Sequence, residues 1–170
     1  MRYTLLFAIV AFGAPSVHAQ NKPNARPIGQ ISLLVGPSPY DVSGTGTGFA
    51  ANFGFAWRPL TRVLVIEPSL GYFRYTTQFD KKNTWLFPEL SVQAEAHLGF
   101  LNPYLGGGVG QGRVSAGGQS AWDTTIHGLI GARVSIGSNW GLRAELRIRG
   151  IGPTGASTAD VGFGLTYRVF

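Results

Sequence analysis

The feature that most constrains this chain is an alternation that puts charge on every second position. In Leu142-Arg-Ala-Glu-Leu-Arg-Ile-Arg149, Leu142, Ala144, Leu146 and Ile148 alternate with Arg143, Glu145, Arg147 and Arg149. A period of two is that of an extended strand, whose successive side chains project to opposite faces. One face here is wholly apolar and the other ionic, so the two must meet different media. Pro88-Glu-Leu-Ser-Val-Gln-Ala-Glu-Ala-His-Leu98 repeats the pattern, with Leu90, Val92, Ala94, Ala96 and Leu98 against Glu89, Ser91, Gln93, Glu95 and His97. Taken alone, that stretch also has helical traits: a leading Pro, and Glu89, Gln93 and His97 four apart. Recurrence of the alternation elsewhere decides for the strand.

Comparable segments run over Phe49 to Trp57, Val63 to Tyr75 and Val161 to Tyr167, with weaker ones at Ile28 to Val35, Pro103 to Val114 and Thr124 to Ile136. That makes eight predicted strands. Short connections fall at Arg58 to Arg62, Gly99 to Pro103 and Gly137 to Trp140. Longer, polar or Gly-rich ones fall at Gly36 to Gly48, Thr76 to Thr84, Ser115 to Asp123 and Gly150 to Ala159. An even strand number with tight turns at one end and long loops at the other predicts an all-β, eight-stranded antiparallel up-and-down transmembrane β-barrel over residues 20–170. A soluble lipocalin-like barrel is the structural rival, but it would place its polar face outside and its apolar face inside.

Residues 1–19 read as a secretory signal peptide: Arg2, the apolar run Leu5 to Phe12, and Val17-His18-Ala19 as a small-x-small cleavage site. The apolar run is too short to span a bilayer. Export and the lack of a Lys/Arg run argue against nucleic acid, although the formal net charge is +6. With 0 Cys, neither a disulfide framework nor a thiolate metal site is available. The 25 Gly, 4 Trp, 6 Tyr and 11 Phe suit a glycine-rich, aromatic-rich β protein instead.

Lipid outside the barrel assigns the faces. An arginine on the lipid face at the bilayer midplane costs about 2–4 kcal/mol, so the arginines must point inward. There they need counter-charges. The expected lumen network is Glu67, Glu89, Glu95, Arg133, Arg143, Glu145, Arg147 and Arg149, closing the barrel to free diffusion. Threading the strands up and down sets Glu67, Glu95, Arg133, Arg143 and Glu145 at one depth, with Glu89, Arg147 and Arg149 above them. Glu89 and Glu95 are expected to pair chiefly with Arg143 and Arg147, and His97 to stay hydrated near one mouth. Trp57, Trp85, Trp122 and Trp140 fall at predicted strand ends and, with Tyr72, Tyr104 and Tyr167, are expected to form aromatic girdles at the headgroups. Gly106, Gly108, Gly110 and Gly112 share one face, as do Gly162 and Gly164, and would leave room for arginines from across the lumen.

Pro103-Tyr-Leu-Gly-Gly-Gly-Val-Gly110 and Val161-Gly-Phe-Gly-Leu-Thr-Tyr-Arg-Val-Phe170 resemble the small eight-stranded outer-membrane β-barrels, the opacity-like and outer-membrane-protein-A-like barrel domains. The resemblance implies the outer membrane of a Gram-negative-type bacterium and contact with its lipid and lipopolysaccharide. It also implies insertion by the barrel-assembly machinery through a C-terminal aromatic signal, here Tyr167 and Phe170. Val169 puts Phe170 out of phase with Tyr167.

No catalytic, cofactor or metal site is expected. Gly44-Thr-Gly-Thr-Gly48 lacks the Lys-Ser/Thr of a phosphate loop, and Gly106 to Gly112 holds no GxGxxG. Glu95 and His97 share a face without a second pair to complete a metal site. Some related barrels modify lipid A with a Ser–His–acid triad, His and Ser standing two apart on one strand. Here His127 is followed by Gly128 and Leu129, and Ser91 and Ser135 read as ordinary strand hydroxyls. The expectation is therefore a structural or surface-interaction, porin-like barrel of the cell envelope. A narrow passive channel is the first alternative and a lipid A-modifying enzyme the second. Tyr40, Asp41, Phe79, Asp80, Lys81, Lys82 and Trp122 are the expected loop contacts for a surface ligand.

Overall fold

A strand satisfies its backbone donors and acceptors only through neighbours, and a membrane-spanning sheet has no water to cover an open edge. Closure answers that constraint. The computed structural model describes residues 28–40, 46–59, 63–76, 82–116, 119–152 and 156–170. They form β1 (Ile28–Tyr40), β2 (Gly46–Arg58), β3 (Leu64–Thr76), β4 (Lys82–Glu95), β5 (Leu101–Ala116), β6 (Gln119–Ile136), β7 (Trp140–Ile151) and β8 (Ala156–Arg168). Each strand pairs antiparallel with the next, and β1 pairs with β8 to close the barrel. The leader at residues 1–19 lies outside the described residues, as do Asp41, Phe79, Asp80 and Lys81.

The strands are tilted and the register climbs around the wall. One row of paired residues starts at Glu67, near the lower end of β3. It passes through Ser91, Gly108, His127, Arg149 and Thr158 to Tyr40 and Gly46, at the opposite end of the barrel. The end that carries Ile28 and Arg168 is called the lower end below.

Side chains are distributed inside out. Leu90, Ile126, Ile130, Leu105 and Phe163 are exposed on the outer wall, whereas Glu67, Arg143, Arg147 and Arg149 are all at most 2% exposed. Along β7 the burial alternates without a break from Trp140 to Ile151. This is the distribution of a barrel whose exterior meets hydrocarbon. A soluble barrel inverts it.

The tight turns below are fixed partly by glycine: Gly99 and Gly137 take φ of 71° and 67°, a region that other residues rarely adopt. Within the wall, glycine serves close approach. A Cβ at Gly164 would lie 1.8 Å from the Leu33 carbonyl oxygen. Pro88 sits inside β4, and the β4–β5 pairing omits Phe87 and Pro88, where the ring removes a donor.

Three expectations are corrected. The long connections are mostly strand: pairing continues to Tyr40↔Gly46, Thr76↔Lys82, Ala116↔Gln119 and Ile151↔Ala156. Between those last pairs only residues 41–45, 77–81, 117–118 and 152–155 remain, so neither end of the barrel has markedly longer connections. Gly, Ser, Thr and Pro marked turns, yet a hairpin that already has its register extends through such residues by backbone pairing alone. Trp85 and Tyr104 do not join the girdles; both are buried inside. Trp85 has the same parity as Glu89 and Ser91, and Tyr104 that of Gly106 and Gly108, so the pleat turns both rings inward whatever their position along the strand.

Ile130→Arg, on the outer wall, is expected to destabilise the folded barrel by about 2–4 kcal/mol in lipid vesicles, and Ile130→Leu to be near neutral. Urea titration of vesicle-inserted protein measures this. An unchanged midpoint for the arginine variant would place hydrocarbon elsewhere.

Candidate functional site: the ionic lumen

Because β7 brings three arginines and a glutamate to the interior at every second residue, the opposite wall must supply their partners. It does so across the full width of the barrel. Arg143 on β7 donates from both terminal nitrogens to Glu67 on β3, each at 2.9 Å. That bidentate geometry is the strongest form of arginine–carboxylate pairing. Its Nε donates to Tyr104 Oη at 2.7 Å, and Tyr104 donates to Glu145 at 2.8 Å. Arg143 also pairs with Glu145 and donates to Ser32 at 2.9 Å.

Arg133 on β6 donates to Glu67 at 3.1 Å and to Gln93 Oε1 at 2.8 Å, and pairs with Glu95. Its guanidinium carbon lies 4.0 Å from the centroid of the Tyr104 ring, within cation–π range. Below it, Arg58 closes on both oxygens of Glu95 at 2.8 and 2.9 Å. His97 is exposed at the lower mouth, with Nε2 3.5 Å from Glu95. Higher up, Arg147 donates to Glu89 at 2.7 Å, Glu145 at 3.0 Å and Ser69 at 3.2 Å. Arg149 donates to both oxygens of Glu89 at 2.7 and 3.0 Å, and pairs with Asp160, which accepts from Ser38.

The interlinked set thus matches Arg58, Arg133, Arg143, Arg147 and Arg149 against Glu67, Glu89, Glu95, Glu145 and Asp160. Charges balance, as burial demands. The partner assignments differ from those expected in two respects: Glu95 takes Arg58 and Arg133, not Arg143 or Arg147, because the climbing register sets it below them, and Glu89 takes Arg149 beside Arg147 in place of Arg143. Arg58 and Asp160 were missed: composition put Arg58 in a connection and left Asp160 between the last connection and the last predicted strand. Their phase within β2 and β8 was the available signal, since Arg58 shares the parity of Ala56 and Asn52.

Above the ions lies an apolar layer of Ala50, Phe73, Trp85, Phe87 and Ile151. Trp85 stacks on Phe87 with ring centroids 5.6 Å apart, and Arg149 lies over Phe87 at 4.8 Å. A cavity of about 20 Å³ bordered by Asn52, Arg147, Arg149 and Asp160 has room for one water.

One further constellation comes together. Ser91 Oγ is 2.8 Å from His127 Nε2, and His127 Nδ1 is 3.3 Å from Glu89 Oε1. Ser91 and Glu89 stand on β4 and His127 two strands away on β6, so no spacing along one strand could reveal them. The order is that of a serine triad. All three are buried, however, and Glu89 already holds two arginines.

On the outside, Trp57, Trp140, Tyr167 and Phe170 lie toward the lower end, and Tyr72 and Trp122 toward the upper. Trp140 and Tyr167 meet edge to face at 4.9 Å. The chain leaves β8 after Arg168, and Phe170 turns back over Gly29, its ring 6.4 Å from that of Phe55. Val169 donates to the Gly29 carbonyl at 2.8 Å and Gly29 donates to that of Phe170 at 3.2 Å, so two residues face one of β1, and this bulge offsets the phase break at Val169.

A closed eight-stranded wall around an ionic interior can be compared with known proteins. No family model and no curated protein matches the sequence, but solved structures do. Neisserial surface protein A (NspA) aligns with a TM-score of 0.62 at 16% identity, over 83% of this chain and 95% of that one. The fold is that of the small eight-stranded outer-membrane barrels. A major outer membrane protein from Thermus thermophilus gives a TM-score of 0.56 at 13% identity, over 85% and 100%. Ail, the attachment invasion locus protein of Yersinia pestis, gives 0.55 at 14%, over 85% and 99%, in a complex with the heparin analogue sucrose octasulfate.

Removing one partner should expose how much this network carries. Glu67→Gln leaves Arg133 and Arg143 short of a counter-charge and is expected to cost about 3–5 kcal/mol. Tyr104→Phe, which removes one hydroxyl from the same cluster, should cost about 1–3 kcal/mol. Urea midpoints of the two variants in the same vesicles test the order; a smaller loss for Glu67→Gln than for Tyr104→Phe would contradict it.

Proposed function

We propose that this chain is an outer-membrane barrel of a Gram-negative-type bacterium that works through the surface it presents, with neither conduction nor chemistry of its own. The observation that carries this is the Arg143–Glu67 pair, which joins opposite walls at the level where a pore would have to be open. Ion pairs above and below it, and the aromatic layer over them, support the same reading. Residues 1–19 act in this reading as a cleaved signal peptide, and Tyr167 and Phe170 as the aromatic signal offered to the assembly machinery. The ends of the hairpins and the headgroup-level outer wall are then the surfaces left to meet lipid, lipopolysaccharide or a ligand.

The membrane assignment is tested by electrophoresis of unboiled and boiled membrane fractions. A folded barrel should migrate differently before and after boiling and should fractionate with the outer membrane; a soluble periplasmic protein would overturn the reading. In planar bilayers the wild-type chain should be silent, and steady openings would favour the passive channel instead. A second reading rests on Ser91, His127 and Glu89. If they were catalytic, a fluorophosphonate would label Ser91 in the folded barrel and expression would change the mass of lipid A. Neither is expected, because Ser91 is fully buried.

A further inference from the structure

Among the described residues whose side chains are placed, two arginines break the apolar rule of the outer wall. Arg74 and Arg113 are exposed and have outward parity, their strand neighbours Phe73 and Gly112 being buried inside. Neither makes an ion pair with a described residue. Every described Asp or Glu side chain has inward parity: Glu67, Glu89, Glu95 and Glu145 are buried, Asp160 pairs with Arg149, and Asp123 shares the phase of buried Thr125 and His127. Toward its upper end the described outer wall therefore carries positive charge without an Asp or Glu counter-charge among the described residues.

Both arginines are also at the same end. Arg74 stands two residues from the upper end of β3, and Arg113 three from that of β5. The register brings them level. Arg74 pairs with Thr84, and Thr84 with Ser115. The climb across two strands raises Ser115, and Arg113, two residues lower on β5, returns to the height of Arg74. With ordinary strand spacing and rise their Cα atoms stand roughly 12 Å apart, close enough for both guanidiniums to reach one headgroup.

Their surroundings have the grading of a membrane boundary. Thr84, Ser115 and Ser120 place hydroxyls along the row of Arg74. Tyr72, Leu86, Arg113 and Trp122 form the next row, with Tyr72 and Trp122 exposed. Below come Leu70, Leu90, Val109 and Ile126, all exposed and apolar. An arginine is expensive among acyl chains and nearly free of cost at the interface, where anionic headgroups give it a partner.

We infer that the outward face of β3–β5 at the upper end is a binding surface for the phosphates of a lipid headgroup, with Arg74 and Arg113 as its paired phosphate ligands. Arginine suits this role through its planar fork of donors. The inference rests on the membrane reading above and adds to it a lipid class and two residues.

The test uses the full chain folded in dodecyl maltoside micelles and titrated with diphosphoryl lipid A, bound lipid being counted by native mass spectrometry. Arg74→Gln and Arg113→Gln should each weaken binding roughly tenfold. Lipid A stripped of its phosphates should bind the wild type no better than the double variant binds the phosphorylated form. Arg74→Lys with Arg113→Lys should retain most of the affinity, and Arg168→Gln, at the opposite mouth, all of it. Equal affinity of wild type and double variant, with both shifting on gels upon boiling, would overturn the inference and leave the barrel standing. So would preference for a soluble sulfated polysaccharide over lipid A, which would assign the arginines to a surface ligand. A wild-type chain that shows no heat-modifiable band would instead remove the membrane reading on which the inference rests.

Discussion

The bidentate contact between Arg143 and Glu67 is the constraint on which the rest of this barrel depends. It joins β7 to β3 through the middle of the molecule, and both groups are taken fully out of water. Such burial is tolerable only when every donor and acceptor is occupied. Arg133, Tyr104, Glu145 and Ser32 complete that occupancy. The cluster ties strands that share no backbone hydrogen bonds, so the relative height of opposite walls is set by side chains as well as by the ladder.

Room for those side chains comes from the wall itself. Gly131 lies where a Cβ would meet Tyr104 Oη at 2.4 Å, and Gly54 where one would meet Glu67 at 2.8 Å. Small residues opposite long ones are how a narrow barrel accommodates arginines at several levels. The charged interior and the glycine-rich composition are thus one adaptation, and the aromatic layer of Phe73, Trp85 and Phe87 ends it where the ion pairs end.

Much of this was legible because the alternation in Leu142 to Arg149 needs no tertiary information: period two with ions on one side admits few other folds. The inward set followed from parity, which is why Glu67, Glu89 and Arg147 could be named. Trp85 and Tyr104 show the cost of departing from parity. Reading them by position near a strand end put them in lipid, although each shares the phase of residues assigned to the lumen. The loops were misjudged for a different reason. Composition reports where a chain tolerates turns, whereas hairpin length depends on whether a partner strand continues beside it.

The sequence by itself determined the strand number, the inward and outward faces, and the need for internal charge balance, because each follows from side-chain periodicity and the cost of burying charge. The tertiary structure alone decided which charges meet. The climb of the register from Glu67 to Gly46 lowers Glu95 onto Arg58 and Arg133, brings Ser91, His127 and Glu89 together, and levels Arg74 with Arg113 on the outer wall. Register is a property of paired strands around a closed circuit, and no single strand carries it.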